Sequence, residues 1–453
     1  MPRNEPDVVE LETKKVVDFL NVVLASECTK DFEYALNSNR TMFSTEDGRH
    51  IFLLTKAGAK KYEELIDYVQ GMKQWDRLSL KFVKDETSEL CTKPLSDVVS
   101  GARGALPKQL SKTDVASIRE LTKNFVSKLD REASQEWDVY LPLAGIEAIS
   151  GNSLKIGHAR LTFMNSAEME ALNTNIETIF CSSKPLEGDK GRKAQYEFIR
   201  ERTNTLKDTV CAVYHITAEP VRAIEIAEEQ TQDVLDLLSY FLSFEHHRDY
   251  KGAVRLQGER PRGHRTILLL SSAADKMHQA NQLTGAYMPI QFSADYIEDM
   301  KRLGIFKLSA IIESRRQTKF HKTILAGIRW FAASKRQDTP EIEFVNLVTC
   351  LENCLTPDDK YSSIRASIAE GCAILLEDKL EERLPLRSRV LDIYDIRSKI
   401  VHGGATIANK QEKLCLDHLR VIAQGLLYVL IKRIDDFKDK DALLNWLTKQ
   451  KLA

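Results

Sequence analysis

The stretch Leu391-Asp-Ile-Tyr-Asp-Ile-Arg-Ser-Lys-Ile-Val-His-Gly-Gly404 decides how the last third of the chain is read, because an apolar helical pattern, a helix stop and a reactive pair coincide in it. Ile393, Ile396, Ile400 and Val401 recur at helical spacing and give the segment one apolar face. Gly403-Gly404 follow, and glycine is the residue type that accepts the left-handed backbone closing many helices. His402 therefore falls in the last turn, where unsatisfied carbonyls favour a cation and help an imidazole take up a proton. Two roles stay open for Arg397 and His402 on the residues alone. They are a candidate catalytic pair, or Arg397 pairs with a neighbouring acid such as Asp392 or Asp395 while His402 merely caps the helix.

Working outward, the surrounding sequence predicts helices only. Thr318 to Ser334 carries Ile324, Leu325, Ile328, Trp330 and Phe331 at helical spacing. Thr339-Pro340-Glu341 supplies an N-cap residue, a proline at the first helical position and an acid in the first turn, opening a helix to about Leu355. Tyr361 to Leu380, Arg387 to His402 and Gln411 to Phe437 complete the series. With an apolar face on each and short connections between them, the expectation for residues 311–453 is an all-helical bundle with antiparallel neighbours.

Upstream the pattern is mixed. Residues 1–134 alternate helical segments, such as Val16 to Leu24 and Ala57 to Met72, with strands. Thr41-Met-Phe43 and His50-Ile-Phe-Leu-Leu54 flank the turn Glu46-Asp-Gly-Arg49 and read as a hairpin. Residues 135–310 read as an α+β sensing domain: Trp137 to Leu141 and Ala159 to Phe163 alternate, separated by turn residues at Pro142, Gly145, Gly151-Asn152 and Gly157. Further strands are predicted at Val210 to Ile216, Arg222 to Ile226, Val254 to Leu256 and Thr266 to Leu270, with a helix from Ala227 to Phe244. The fold class expected for the whole chain is α+β.

Composition narrows the function. The chain has 453 residues, 43% hydrophobic and 29% charged, enough to bury cores in two or three domains. Net charge is −1, but from Ile311 onward 24 Lys and Arg stand against 20 Asp and Glu, a slight basic excess. No signal-type N-terminus is seen, nor an unbroken run of about 18 apolar residues, so a cytoplasmic protein with no membrane partner is expected. Eight cysteines lack the paired spacing of a zinc site or the density of a disulfide scaffold. Cys350 and Cys354, one turn apart, read as small core residues rather than ligands. Glu245-His-His247 with Asp249 reads as a solvated helix end, since adjacent side chains on a helix diverge. Gly101-x-x-Gly104 lacks the Gly-Lys-Ser/Thr of a phosphate loop. The loop from Arg255 to Arg265 is basic and reads first as ordinary exposed loop, second as a phosphate or partner contact. No metal and no cofactor is expected.

The run from about Arg329 to Val429 resembles the Apea-like group of HEPN domains. The resemblance rests on Tyr394-Asp-Ile-Arg397-Ser-Lys-Ile-Val-His402-Gly403-Gly404, which matches that group's Arg-x4-His-Gly signature. It also rests on Ile328-Arg-Trp330-Phe331, Phe344 to Asn353 and Ile364 to Ile368, which occur in the order of the family's helices. It covers about the last third of the chain; the first 310 residues resemble, less specifically, the mixed α/β regions that accompany such domains in bacterial phage-defence proteins. The resemblance implies a metal-independent ribonuclease acting as a homodimer, with His402 as acid/base, Arg397 as phosphate clamp and Ser398 in a supporting place. Family members often carry Asn, Asp or His directly after the arginine, and Ser398 is a weaker orienting group.

An imidazole suits deprotonation of a ribose 2′-OH, and a guanidinium suits a phosphate whose charge builds in the transition state. Five residues along a continuous helix amount to about 500°, so Arg397 and His402 diverge by about 140°. Their convergence calls for a loosened last turn or a second copy related by a two-fold axis. The resemblance thus implies a toxin-like antiviral effector that cleaves RNA, tRNA among the candidates, under the control of an N-terminal region answering a phage-derived trigger. The other class of function is a non-catalytic HEPN module that dimerises or binds a nucleotide or a protein.

Overall fold

The computed structural model describes residues 8–30, 41–102, 106–182, 189–244, 254–257, 264–270, 277–283, 290–337, 339–357 and 363–452. The chain divides into two compact units: residues 1–139 with 215–227, and residues 140–214 with 228–453. Antiparallel sheets lie in the N-terminal half and helices alone in the C-terminal part, an α+β chain with helix predominant.

In the first unit, helix α1 (Val8–Leu24) buries Val16, Phe19, Leu20 and Val23. Strands β1 (Glu27–Thr29), β2 (Thr41–Ser44) and β3 (Ile51–Leu54) form an antiparallel sheet in the order β1-β3-β2. The predicted hairpin is present: Phe43 faces Phe52 in register, the Thr45 N–H donates to the His50 carbonyl at 3.0 Å, and Gly48 takes the positive φ of 66° that the turn requires. Helices α2 (Lys56–Gln70), α3 (Leu80–Gly101) and α4 (Lys112–Ala133) close the unit. Each begins at a hydroxyl cap: Thr55, Ser79, and Ser111 in a reciprocal capping box with Asp114. Phe19, Phe43 and Tyr62 meet ring to ring, and Trp75, Phe125 and Leu129 fill the rest of the core.

Strand β4 (Glu136–Ala144) runs from the first unit into the second at Tyr140, and β5 (Ile146–Ile149), β6 (Ser153–Ile156) and β7 (Ala159–Phe163) follow in the second. Helices α5 (Ser166–Ser182) and α6 (Asp189–Thr203) follow, then β8 (Val210–Thr217) and α7 (Pro220–Leu242), whose residues 215–227 belong to the first unit, and then β9 (Arg255–Leu256), β10 (His264–Leu270), β11 (Met277–Leu283) and β12 (Ile290–Phe292). Five strands make one sheet in the order β6-β7-β8-β4-β9, β10 and β11 form an antiparallel hairpin, and β12 runs parallel to β5. The β6–β7 hairpin is led by Gly151 and Asn152, both at positive φ, and turns at Gly157, φ 58°.

One predicted strand is a helix. Arg222 to Ile226 lies in the first turns of α7, because the Glu219 carboxylate accepts the Val221 and Arg222 N–H groups at 3.0 and 3.1 Å and Pro220 opens the helix. Two further helices, α8 (Ala294–Leu303) and α9 (Ile305–Glu313), meet at Gly304, whose φ of 105° makes the corner.

From residue 319 the unit is helical: α10 (Lys319–Lys335), α11 (Pro340–Leu355), α12 (Ile364–Leu376), α13 (Leu380–Gly403), α14 (Lys410–Lys432) and α15 (Lys440–Leu452). α10 and α11 pack as one pair and α12 and α13 as another, while α14 packs against all four. Thr339 precedes α11 without a side-chain capping bond, and Pro385 is accommodated six residues into α13, so that helix begins at Leu380 rather than Arg387. α14 is long and apolar enough to cross a membrane by length and composition alone. Its apolar side chains, among them Leu416, Leu419, Ala423, Leu426, Leu427 and Leu430, are buried as the centre of the bundle. Within it Arg420, 17% exposed, is held at 2.7 and 2.8 Å by the two oxygens of Glu343 on α11 and at 2.9 Å by Asp417. Cys350, Cys354 and Cys372 are fully buried in the same core.

Candidate functional site

Arg397 and His402 both lie on α13, which is continuous to Gly403. Ile393 and Tyr394 face the core and fix the rotation of the helix. Arg397, one turn on from them, is half-buried and turned toward α11, whereas Ser398 and His402 are exposed. Gly404, φ 62°, ends the helix: its N–H donates to the Ile400 carbonyl and that of Ala405 to the Lys399 carbonyl, each at 3.2 Å. A Cβ at Gly403 or Gly404 would meet nothing within 4 Å, so the backbone beside His402 stands open.

The partner of Arg397 is Glu352, not Asp392 or Asp395. Its Nη2 lies 3.4 Å from Oε1 and 3.5 Å from Oε2 of that carboxylate, and Tyr394 donates its hydroxyl to Oε1 at 3.3 Å. Burial and then the Glu352 charge push the Tyr394 phenol well above its ordinary range, so it stays a neutral donor. The Nε of Arg397 is buried and has no hydrogen-bond partner among the described residues. Asp395 is taken instead by Arg365 of α12, at 2.6 and 2.9 Å, and Arg365 also donates to the Leu391 carbonyl. Two guanidinium–carboxylate pairs thus flank the second half of α13, one on each neighbouring helix.

Within one chain the structure does not join Arg397 and His402 into a single cluster. The first is anchored inward and the second points to solvent, as their angular separation on a helix requires. The arrangement offers a positioned cation with donors left over and, round the helix, an accessible imidazole at a carbonyl-rich helix end.

Sequence reading did not single out Glu352. The signal was Glu352 as the one charged residue between Phe344 and Leu355, followed directly by Asn353. Asn353 is accounted for by its 2.7 Å bond to the Thr323 carbonyl of α10, which leaves Glu352 as the polar group facing α13. Among the described residues no three His, Cys, Asp or Glu side chains gather in the manner of a metal site. Glu245 to Asp249, Gly104 and residues 258–263 of the basic loop lie outside the described residues.

Compared with known proteins, the chain matches no family model, no curated protein and no solved structure.

Proposed function

We propose that the chain is a metal-independent endoribonuclease of HEPN type, whose active site is completed by a second copy. The observation that carries this reading is the placement of the Arg-x4-His-Gly sequence at the end of a bundle helix, with Arg397 held by Glu352 and His402 exposed beside an open glycine pair. In this reading His402 takes the proton of a ribose 2′-OH. The 2′-oxygen attacks the adjacent phosphorus, the bond to the 5′-oxygen breaks, and that oxygen takes up a proton. The products are a 2′,3′-cyclic phosphate and a 5′-OH. Arg397 faces the phosphate and offsets the charge that grows on its oxygens.

A two-fold partner brings the His402 of one copy toward the Arg397 of the other. Exposed apolar side chains support such a contact: Val401 beside the histidine, and Leu414 and Val421 two turns apart on α14. In this proposal the chain is a cytoplasmic, toxin-like antiviral effector, with RNA, tRNA included, as substrate and the first 310 residues as the part that answers a phage-derived trigger. A non-catalytic HEPN module is the second reading, favoured by one observation: the Arg397 guanidinium already has a carboxylate partner within its own chain.

Incubating the protein with tRNA and other RNAs in EDTA, beside Arg397→Ala and His402→Ala, separates the two. Cleavage by the parent alone, with cyclic-phosphate ends and a specific activity that drops on dilution into monomers, is expected. Equal cleavage by all three proteins, or none in the presence of the trigger, removes the nuclease reading.

A further inference from the structure

We propose that the cleft between α5 and α6 binds a nucleoside phosphate. The cleft has a volume of about 540 Å³, within the range of small-molecule sites, about 300 to 1,000 Å³. One wall is the face of α5 carrying Glu170, Asn173 and Glu177, which recur every three or four residues. The other carries Tyr196 and Arg200, one turn apart on α6, and Lys207 beyond it. Met169 is buried at its floor.

The charges in this cleft do not neutralise one another. Arg200 and Lys207 line the same space as Glu170 and Glu177, yet among the described residues neither cation is in an ion pair with either acid. Elsewhere on the surface acids and bases of this chain do pair across elements, as Lys155 with Glu313 and Lys307 with Asp435 do at 2.7 and 2.6 Å. Opposite charges that face one gap and remain apart suit a ligand that presents an anion to one wall and hydroxyl donors to the other. A nucleoside phosphate has both. Its phosphate matches Arg200 and Lys207, and its ribose hydroxyls donate to the carboxylates of α5. The Asn173 amide, donor and acceptor at once, suits a base edge. A free phosphate would leave both carboxylates unanswered. A nucleic-acid strand would set its repeated charges against them.

The site is independent of the nuclease reading. The test is equilibrium dialysis of the full chain against labelled ATP and GTP, their 2′,3′-dideoxy forms, inorganic phosphate and a short single-stranded RNA. The parent is compared with Arg200→Ala, Lys207→Ala, Glu177→Gln and Arg397→Ala, each checked for an unchanged melting temperature; the first three positions are exposed. Saturable binding of a ribonucleotide at submillimolar concentration is expected, weakened about tenfold in Arg200→Ala and Lys207→Ala. Glu177→Gln should weaken the ribonucleotide but not the dideoxy form, and Arg397→Ala should bind as the parent does. No saturable binding of either nucleotide, equal binding by Arg200→Ala and Lys207→Ala, or tighter binding of the RNA than of the mononucleotides would overturn the proposal. Binding retained in a chain that cleaves no RNA even in the presence of the trigger would remove the nuclease reading and leave this one standing.

Discussion

Glu352 holds Arg397 from the neighbouring helix, its Oε1 3.4 Å from Nη2, while Tyr394 hydrogen-bonds to the same oxygen one turn earlier on α13. The carboxylate is thereby held from two sides, although its pair with Arg397 is too long and too exposed to hold the bundle together. Pairs of this kind contribute about 1 kcal/mol or less. Glu352→Gln is therefore expected to change unfolding free energy by no more than about 1 kcal/mol. On the proposed nuclease reading its effect should appear in RNA cleavage, as about a tenfold loss in kcat with little change in KM, because misplacing a group costs the transition state more than the bound substrate. Steady-state cleavage rates beside urea unfolding curves check both halves. Equal losses in stability and activity would make Glu352 a structural residue only.

Arg420 and Glu343 behave differently. Glu343 is 2% exposed and accepts two bonds from a guanidinium that also binds Asp417. Removing one partner strands a buried charge, so Glu343→Leu alone should cost about 3–5 kcal/mol in urea unfolding. The pair Glu343→Leu with Arg420→Met should recover part of that loss, since no buried charge is stranded and only the partly exposed Asp417 loses its bond to Arg420.

The first unit contains a carboxyl group that folding forces to stay protonated. Glu12 is 1% exposed, and neither of its oxygens has a hydrogen-bond partner among the described residues. Burial first, and the charge of Asp130 second, push it up to about 8 from 4.5. The unfolded chain releases this proton near pH 4.5, while the folded chain keeps it until about pH 8. Stability from this group is therefore complete below pH 4.5, declines as pH rises to about 8, and is level above that. The full span corresponds to on the order of 5 kcal/mol. Melting temperatures measured from pH 5 to 9 should fall in the parent, and the slope should be much reduced in Glu12→Gln. A parallel slope in both proteins would assign it to other groups.

Gly304 and Gly48 separate backbone strain from crowding. Both have positive φ, but a Cβ at Gly304 would lie 2.9 Å from Cγ2 of Ile431, whereas one at Gly48 would meet nothing within 4 Å. Gly48→Ala should cost about 1 kcal/mol, the conformational part alone. Gly304→Ala should cost about 2–4 kcal/mol, because strain and overpacking add in the core of the bundle. Denaturant midpoints at constant slope report the difference.

The helices around Arg397 were legible because their ends carry local signals, as at Thr339-Pro340 and Gly403-Gly404; of the apolar face expected on α13, Ile393 is buried but Val401 is 48% exposed. Where the signal was not local, the reading failed. Arg222 to Ile226 has the alternation of a strand, but the Glu219 carboxylate caps the turn that begins at Pro220, and a glutamate in that place is easily passed over. α8 and α9 were missed because Gly304 breaks them into short pieces, each with few apolar positions to count. The same limit applied at the site. The positions of Arg397 and His402 followed from helical spacing, but the choice of Glu352 over Asp392 or Asp395 depends on how α11 lies against α13. A long-range packing relation of that kind leaves no periodic trace.

The central place of α14 also sets an order of events during synthesis. α10 to α13 all pack against it, so their inner faces remain uncovered until residues 410–432 have been made. At about 5–20 residues per second the ribosome needs a few seconds to pass from Gly404 to the end of that helix. Through that interval Arg397 and His402 exist in the growing chain on a helix that has α11 and α12 to dock against but lacks the central helix of the bundle, and whatever the pair does in the finished fold must wait for the helix that follows it.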